Sequence, residues 1–506
     1  MQDTPPQIRS SGRDSIPLSS LNTSNVGDGA SRRDAARATV VALVVGLVYL
    51  LSSGAHAYSV DEITNYASAR ALVEAGSPDL SGGQPFPREQ LLTLSHPALD
   101  RITSRYGFLS WAAMTPAYRV ASWIGSEPPP PSPAFPQPSA VRPVAVLLYG
   151  PVIAAALVGA TFLLGRNLGL RPRFALAAAL TLAFASPLWV YAKGLANIPL
   201  AALLAVLALL PITVRSPGVG HWAGAGALAG LAAATRPEFT AVGMVVGALT
   251  LVKRKRDWRT GLTSAGVYTA AWAITTIPGV CLWNLYRTGD SFDVGYRSAT
   301  ILWQTDRAYI GIFGVLASPS FGLFVFMPVA AVGLWGLLGK APDRPIWLAM
   351  LVLVVTAVVG YGSFADWFGG VSWGPRYLTA VTPFLVLGVG VVLQARATNL
   401  AMRLTVGGLA AWSLGISVLG VLFDYQTGWR NLWEHGARPE QILWNPHFSL
   451  IGAHLRLARQ WQDGLIGPDL YLVQRLGPWT FVVLALGLLI VLGVALAFRA
   501  RNRATG

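Results

Sequence analysis

A carboxylate can take a proton from a hydroxyl, and a guanidinium can hold a phosphate. The chain sets both kinds of group beside apolar segments. Asp61 and Glu62 follow Tyr58-Ser59-Val60, just past the first long apolar run. Adjacent carboxylates at a bilayer surface repel each other, so one should keep its proton more readily. Such a group suits a general base, or the ligand of a divalent cation. The competing reading is the acidic first turn of a helix, where negative charge meets free N–H groups. A second constellation is Asp366-Trp367-Phe368-Gly369-Gly370-Val371-Ser372-Trp373-Gly374-Pro375-Arg376-Tyr377. Arg376 offers a planar fork for phosphate, the glycines let backbone approach a ligand, and Trp and Tyr suit a sugar face. Its competitor is an aromatic belt with a snorkelling arginine. The loop from Asn284 to Ser320 adds Arg287, Arg297 and Arg307. Lys193 is either a further phosphate contact or a structural snorkelling lysine. His96-Pro97, Arg101 and Arg105 are individually weak signals. No HExxH, Walker A or GxGxxG pattern occurs, which leaves nucleotide hydrolysis and nicotinamide chemistry without apparatus.

These residues must be held by membrane helices. The 506 residues are 53% hydrophobic and only 12% charged, with mean hydropathy +0.50. An ordinary soluble domain carries about 25% charged residues. A soluble cytoplasmic enzyme is therefore excluded, as is a disulfide-framed secreted protein, since Cys281 is the single cysteine. A bilayer-spanning helix takes about 20 apolar residues. Twelve candidate spans lie near 38–57, 140–165, 174–192, 197–214, 221–235, 238–252, 261–284, 320–339, 345–364, 378–394, 404–423 and 478–498. The fold expected is an all-α polytopic membrane protein. Thr235-Arg236-Pro237-Glu238 reads as a tight turn between two of the spans.

Charge sets the orientation. With Arg32, Arg33 and Arg37 inside, alternation places 21 basic and six acidic residues on the cytoplasmic side, and 17 of each outside. The whole net charge of +15 then faces the cytoplasm, and no nucleic-acid partner is needed to explain it. The expected organisation is a disordered cytoplasmic tail over 1–37, and a transmembrane module over 38–423 that includes a first outer loop at 58–139. An outer loop at 424–477 follows, then a last helix and basic cytoplasmic tail over 478–506. Both termini would be cytoplasmic, in a plasma (inner) membrane, with the chemistry on the extracytoplasmic side. Within the first outer loop, Ile63 to Ala75 is amphipathic, Tyr106 to Ile124 reads as an interfacial helix, and Glu127 to Pro138 as a polyproline linker. Ala55-His56-Ala57 has the form of a signal-peptidase site, but eleven further spans favour a retained anchor.

Taken in order, these pieces resemble the GT-C superfamily of membrane glycosyltransferases, and within it the bacterial ArnT-like, dolichyl-phosphate-mannose-protein-mannosyltransferase-like group. The matching residues are Asp61-Glu62 with Leu72 to Gly76, and Arg105-Tyr106-Gly107 with Pro116. They continue with Gly230-Leu231 and Thr235-Arg236-Pro237, then Ser318-Pro319, Gly322-Leu323-Phe324 and Pro328, and finally Trp367 through Pro383. The resemblance covers roughly 38–400. One departure stands out: where many relatives have a glutamate in Lys-x-x-x-x-Glu-Pro, this chain reads Lys193-Gly194-Leu195-Ala196-Asn197-Ile198-Pro199.

The resemblance implies a polyprenyl-phosphate-linked sugar as donor and a lipid, glycan or protein hydroxyl as acceptor. It implies Asp61 as base with Glu62 beside it, and Arg376, Tyr377, Arg105, Arg297 and Lys193 as donor-phosphate contacts. A divalent cation held by Asp61 stays open, as do a secondary transporter and a polysaccharide polymerase or ligase. The isoprenoid tail is expected along 106–124 and the outer helix ends.

Overall fold

The computed structural model describes residues 32–82, 85–86, 91–96, 98–125, 141–214, 216–253, 258–295, 303, 305–339, 343–480, 482–490 and 493. Among them, six helices are long and apolar enough to cross a membrane: Arg32–Leu51, Pro143–Asn167, Trp258–Thr288, Arg344–Gly362, Tyr377–Ala395 and Leu400–Leu422. Shorter apolar helices fill in between: Pro172–Phe184, Ile198–Thr213, Ala308–Ala317 and Val329–Leu338. The protein is a multi-pass, helical membrane protein. Its one described sheet is a two-stranded antiparallel ribbon, Thr93–Ser95 with Ile102–Ser104, in the first long loop.

Small residues set the packing. Pro143–Asn167 lies against Arg32–Leu51 and against Ile198–Leu209. Val329–Leu338 meets Thr382–Ala395 backbone to backbone: a Cβ on Gly388 would come within 2.0 Å of the Gly333 carbonyl oxygen. In a bilayer, helices cohere through such close approach, because burial of apolar surface gives no driving force between them.

Several expectations need correcting. The first helix begins at Arg32, so residues 32–37 are not a disordered tail; residues 1–31 lie outside the described set, as do the polyproline linker and part of the 478–498 span. The 174–192 span is two helices, Pro172–Phe184 and Leu188–Ala192, separated at Ser186-Pro187. The 320–339 span reduces to Leu323–Phe326 and Val329–Leu338, because Pro328 interrupts it. Ala308–Ala317, read as loop, is an apolar helix packed on Arg344–Gly362. The 106–124 segment is two short helices, Phe108–Ala112 and Thr115–Trp123, the second opened by Pro116 near its N-terminus. The 424–477 loop folds into four short helices: Tyr425–Glu434, Pro439–Trp444, Leu450–Gln462 and Tyr471–Leu476. The Thr235-to-Glu238 break is a turn, as read: Val219–Thr235 ends there, and Pro237–Phe239 leads into Thr240–Lys253.

Candidate active site

Val60–Ala75 opens with Ser59 as N-cap, its hydroxyl accepting the Glu62 N–H at 3.3 Å. Asp61 and Glu62 therefore both stand in a first helical turn, and the next step separates them. A turn of 3.6 residues sends neighbours about 100° apart around the helix. Glu62 points inward, 4% exposed, and one carboxylate oxygen accepts the N–H groups of Tyr58 at 3.0 Å and Leu195 at 2.9 Å. Asp61 points the other way and meets Arg376.

That meeting joins residues 315 positions apart. Asp61 Oδ2 accepts from an Arg376 NH2 nitrogen, and Asp61 Oδ1 accepts the Tyr106 hydroxyl at 2.5 Å. The pair is sheltered without being sealed, with side-chain exposures of 22% for Asp61 and 13% for Arg376. Burial alone would raise the Asp61 carboxyl. The Arg376 charge, the hydrogen bonds from Tyr106 and Arg376, and the charge of Arg236 hold it below its ordinary value. Glu62 goes the other way: burial outweighs its two backbone donors and pushes it up to about 7.

Arg376 is aimed by its loop. Gly369, Gly370 and Gly374 have φ of +82°, +67° and +56°, a region L side chains avoid. At Gly374 there is a second reason, since a Cβ would stand 2.5 Å from the Phe326 ring. The loop's main chain is pinned by Tyr191, whose hydroxyl donates to the Trp373 carbonyl at 2.7 Å, and by the Trp429 indole on the Ser372 carbonyl at 3.1 Å. Trp367 and Trp373 are buried, and Arg376 also donates to the Gly369 carbonyl. An aromatic belt with a snorkelling arginine does not describe this loop. Tyr106, opposite, is held by the Trp283 indole on its carbonyl at 2.9 Å, and Arg287 donates to the carbonyls of Arg105 and Tyr106.

A cavity of about 320 Å³, within the range of small-ligand pockets, has Tyr377, the residue after Arg376, on its wall. Glu238, Tyr361, Tyr377 and Trp303 line one end, while Ala205, Leu353 and Phe384 belong to its apolar remainder. From Tyr361 to Leu353 is eight residues of one helix, or about 12 Å. None of its lining comes from 106–124. Arg236 binds Glu238 at 2.7 Å and donates to Asn197 at 3.1 Å. The Tyr361 hydroxyl also donates to Glu238, at 3.0 Å. Tyr377 stacks on Tyr361 with ring centres 4.5 Å apart. The Arg236 charge acts on both Asp61 and Arg376.

The structure thus joins Asp61 to Arg376 and places Tyr377 at the cavity, while Arg105 takes part through its carbonyl. Arg297 lies outside the described residues. Lys193 is not presented to a ligand: fully buried, its ammonium donates to the Val421 carbonyl at 2.5 Å and to Asp469 at 2.8 Å. The donor set does not fit a divalent cation, which prefers six or more oxygens. Both Asp61 oxygens are engaged by Arg376 and Tyr106, Glu62 is turned onto backbone, and Glu238 faces an arginine. Among the described residues no three His, Cys, Asp or Glu side chains cluster. Sequence reasoning missed Arg236, Glu238 and Tyr361 as site residues, and treated Tyr106 only as part of a motif. Arg236 had a signal in its Thr-Arg-Pro setting, whereas Tyr361 had none.

Fold and site together define a polytopic membrane protein with a sheltered carboxylate–guanidinium pair and an apolar cavity whose wall includes Tyr377, the residue after Arg376. No family model matches the chain, and no curated protein matches it in sequence. In fold it is similar to ArnT from Cupriavidus metallidurans, solved bound to undecaprenyl phosphate, with TM-score 0.48 and 18% identity over 91% of this chain and 75% of that one. The apo ArnT structure gives 0.43 at the same identity and coverage. The apo oligosaccharyltransferase of Archaeoglobus fulgidus gives 0.45 at 11% identity, over 79% of this chain and 58% of that one.

Proposed function

We propose that the chain is a GT-C-type glycosyltransferase that moves a sugar from a polyprenyl-phosphate donor to an acceptor hydroxyl at the extracytoplasmic membrane face. The observation that carries this reading is the Asp61–Arg376 contact, with the next residue, Tyr377, on the wall of an apolar cavity. A lipid carrier needs an apolar channel for its tail, a cation for its phosphate and a base within reach of the sugar. Those three features adjoin here. ArnT was solved with undecaprenyl phosphate, a lipid of the class this cavity would accept.

The chemistry runs as one displacement. The acceptor oxygen attacks the anomeric carbon as Asp61 takes its proton. The bond from that carbon to the phosphate oxygen breaks, and its electron pair leaves on the carrier phosphate. Arg376, with Arg236 close by, stabilises the charge that develops there. Attack opposite the leaving group inverts the anomeric centre. Paired with Arg376, Asp61 is a weak base, since its carboxyl is held low. Arrival of the donor phosphate turns Arg376 toward the lipid and gives Asp61 back its basicity. Tyr106 keeps the carboxylate oriented meanwhile.

The test is sugar transfer by the full chain in proteoliposomes, supplied with a radiolabelled polyprenyl-phosphate sugar and envelope lipid or glycan as acceptor. Transfer by the wild type, absent in Asp61→Asn at equal expression, is the expected result. Wild-type protein that binds no polyprenyl phosphate would defeat the reading.

A further inference from the structure

A buried polar cluster outside the Asp61–Arg376 pair surrounds Asp469, in the loop before Tyr471–Leu476. This carboxylate, 5% exposed, accepts the Tyr58 hydroxyl at 2.6 Å, the Lys193 ammonium at 2.8 Å and the His56 ring at 3.1 Å. All four side chains are buried. The same region grips residues 53–58 through the backbone. Tyr471 N–H donates to the Ser53 carbonyl at 2.9 Å, and the Gln426 amide to the Tyr58 carbonyl at 2.5 Å. The Tyr58 ring stacks on Tyr425 at 5.7 Å. Within this grip Ala55 is held at φ +56°, a strained value for a non-glycine residue. A Cβ on Gly54 would lie 2.2 Å from Asp469 and 2.1 Å from the Tyr58 hydroxyl.

Buried ion pairs are a poor source of net stability, because desolvation offsets their attraction. This one is better understood by what it holds still. Tyr58 is fixed at four points: its hydroxyl by Asp469, its ring by Tyr425, its carbonyl by Gln426 and its N–H by Glu62. Ser59, the helix cap, comes next in the chain, and Asp61 follows within the same turn. A shift of Tyr58 would turn the start of that helix and carry Asp61 off Arg376. We propose that Asp469 is a positioning residue: acting through Tyr58, it sets the placement of Asp61, so that the 424–477 segment completes the active site. No atom of Asp469 need touch substrate. The claim deepens the transferase reading, yet its geometric half stands without it.

The test separates the two. In a Cys281→Ser background, Asp61→Cys supplies one thiol whose alkylation rate by N-ethylmaleimide reports the local geometry. Adding Tyr58→Phe or Asp469→Asn should change that rate at least about threefold in protein whose unfolding midpoint is unaltered; such supporting shells are what hold functional groups in register. With the native Asp61, the same two changes should lower kcat about tenfold and leave the KM for the polyprenyl-phosphate sugar unchanged, the pattern of a displaced base rather than a lost binding contact. Where Asp469→Asn does not fold, Tyr58→Phe decides, since it removes one hydroxyl and keeps the ring. An unchanged thiol rate in the folded variants overturns the proposal, as does a rise in KM at constant kcat. If the wild type transfers no sugar, the transferase reading falls, and the thiol rates still decide the positioning.

Discussion

Asp61 is encumbered in the free protein, and that makes its two neighbours separable by mutation. Removing a general base costs about 10²- to 10⁴-fold in rate, so Asp61→Asn should lose at least that in kcat. It should bind farnesyl phosphate at least as tightly as the wild type, because Arg376 is released from its carboxylate; weaker binding would mean that Asp61 helps to hold the donor. Arg376→Ala leaves a sheltered carboxylate without its guanidinium. Burial, now less opposed, raises that carboxyl. The acid limb of the pH–rate profile should therefore move to higher pH, while donor KM rises at least about tenfold. An unmoved limb would disconnect the two residues. Glu62 differs from Asp61 although it is the next residue. Its oxygen serves the Tyr58 and Leu195 N–H groups, a task a glutamine oxygen also performs. Glu62→Gln should keep more than about a tenth of wild-type transfer, well above the loss expected of a missing base, and kinetics of the purified variant check it.

At the scale of elements, the sequence was informative wherever local patterning carries the outcome. Two acids just past an apolar run admit a helix start, and a run of glycines around Trp and Pro marks a loop that must turn. Arg376 and Asp61 were legible because a charge beside an apolar span demands a reason. Element edges inside apolar runs were not legible. Pro328 and Ser186-Pro187 break helices where hydropathy continues, so composition alone overran both boundaries. The cavity was also hidden, because it arises from the packing of Thr240–Lys253, Arg344–Gly362 and Tyr377–Ala395 rather than from any one of them. Its use can be tested by filling it. Ala357→Trp adds a large side chain to its wall. That variant should raise the KM for a long polyprenyl-phosphate sugar at least about fivefold, because such pockets bury most of a ligand's surface. Inorganic phosphate, which has no tail, should inhibit it as it does the wild type. Equal use of the long-chain donor would remove the tail from this cavity.

Over the whole molecule, distant segments converge on one region, and Asp469 shows why no local reading finds that. It is a single aspartate between Pro468 and Leu470, 413 residues from His56, and only the folded chain gives it three donors. The same convergence predicts how stability depends on pH. Glu62 is raised to about 7 by burial, so stability declines as pH climbs from its ordinary value toward 7. For His56, burial lowers the ring but is outweighed by the charge and hydrogen bond of Asp469 and the charge of Asp424, leaving it raised. A raised histidine contributes stability below about 6.5, its ordinary value, and that contribution disappears as pH rises through the folded value. Asp424 is raised as well, chiefly by burial, and adds to the same trend. Asp61 and Asp469 oppose it. Burial raises each, but Arg376 in one case, and Lys193 with His56 in the other, hold them below the ordinary aspartate value. Their stabilisation is present above that value and is lost only as pH falls through the lowered ones. The thermal midpoint of the detergent-solubilised chain should therefore be highest near about pH 4 and decline on raising the pH through 7. Asp469→Asn should shrink or abolish the histidine part of that decline, because the charge that raises His56 above its ordinary value is gone. A midpoint that climbs from pH 6 to 8 in the wild type would mean that Glu62 and His56 do not carry their protons in the folded state as this cluster requires.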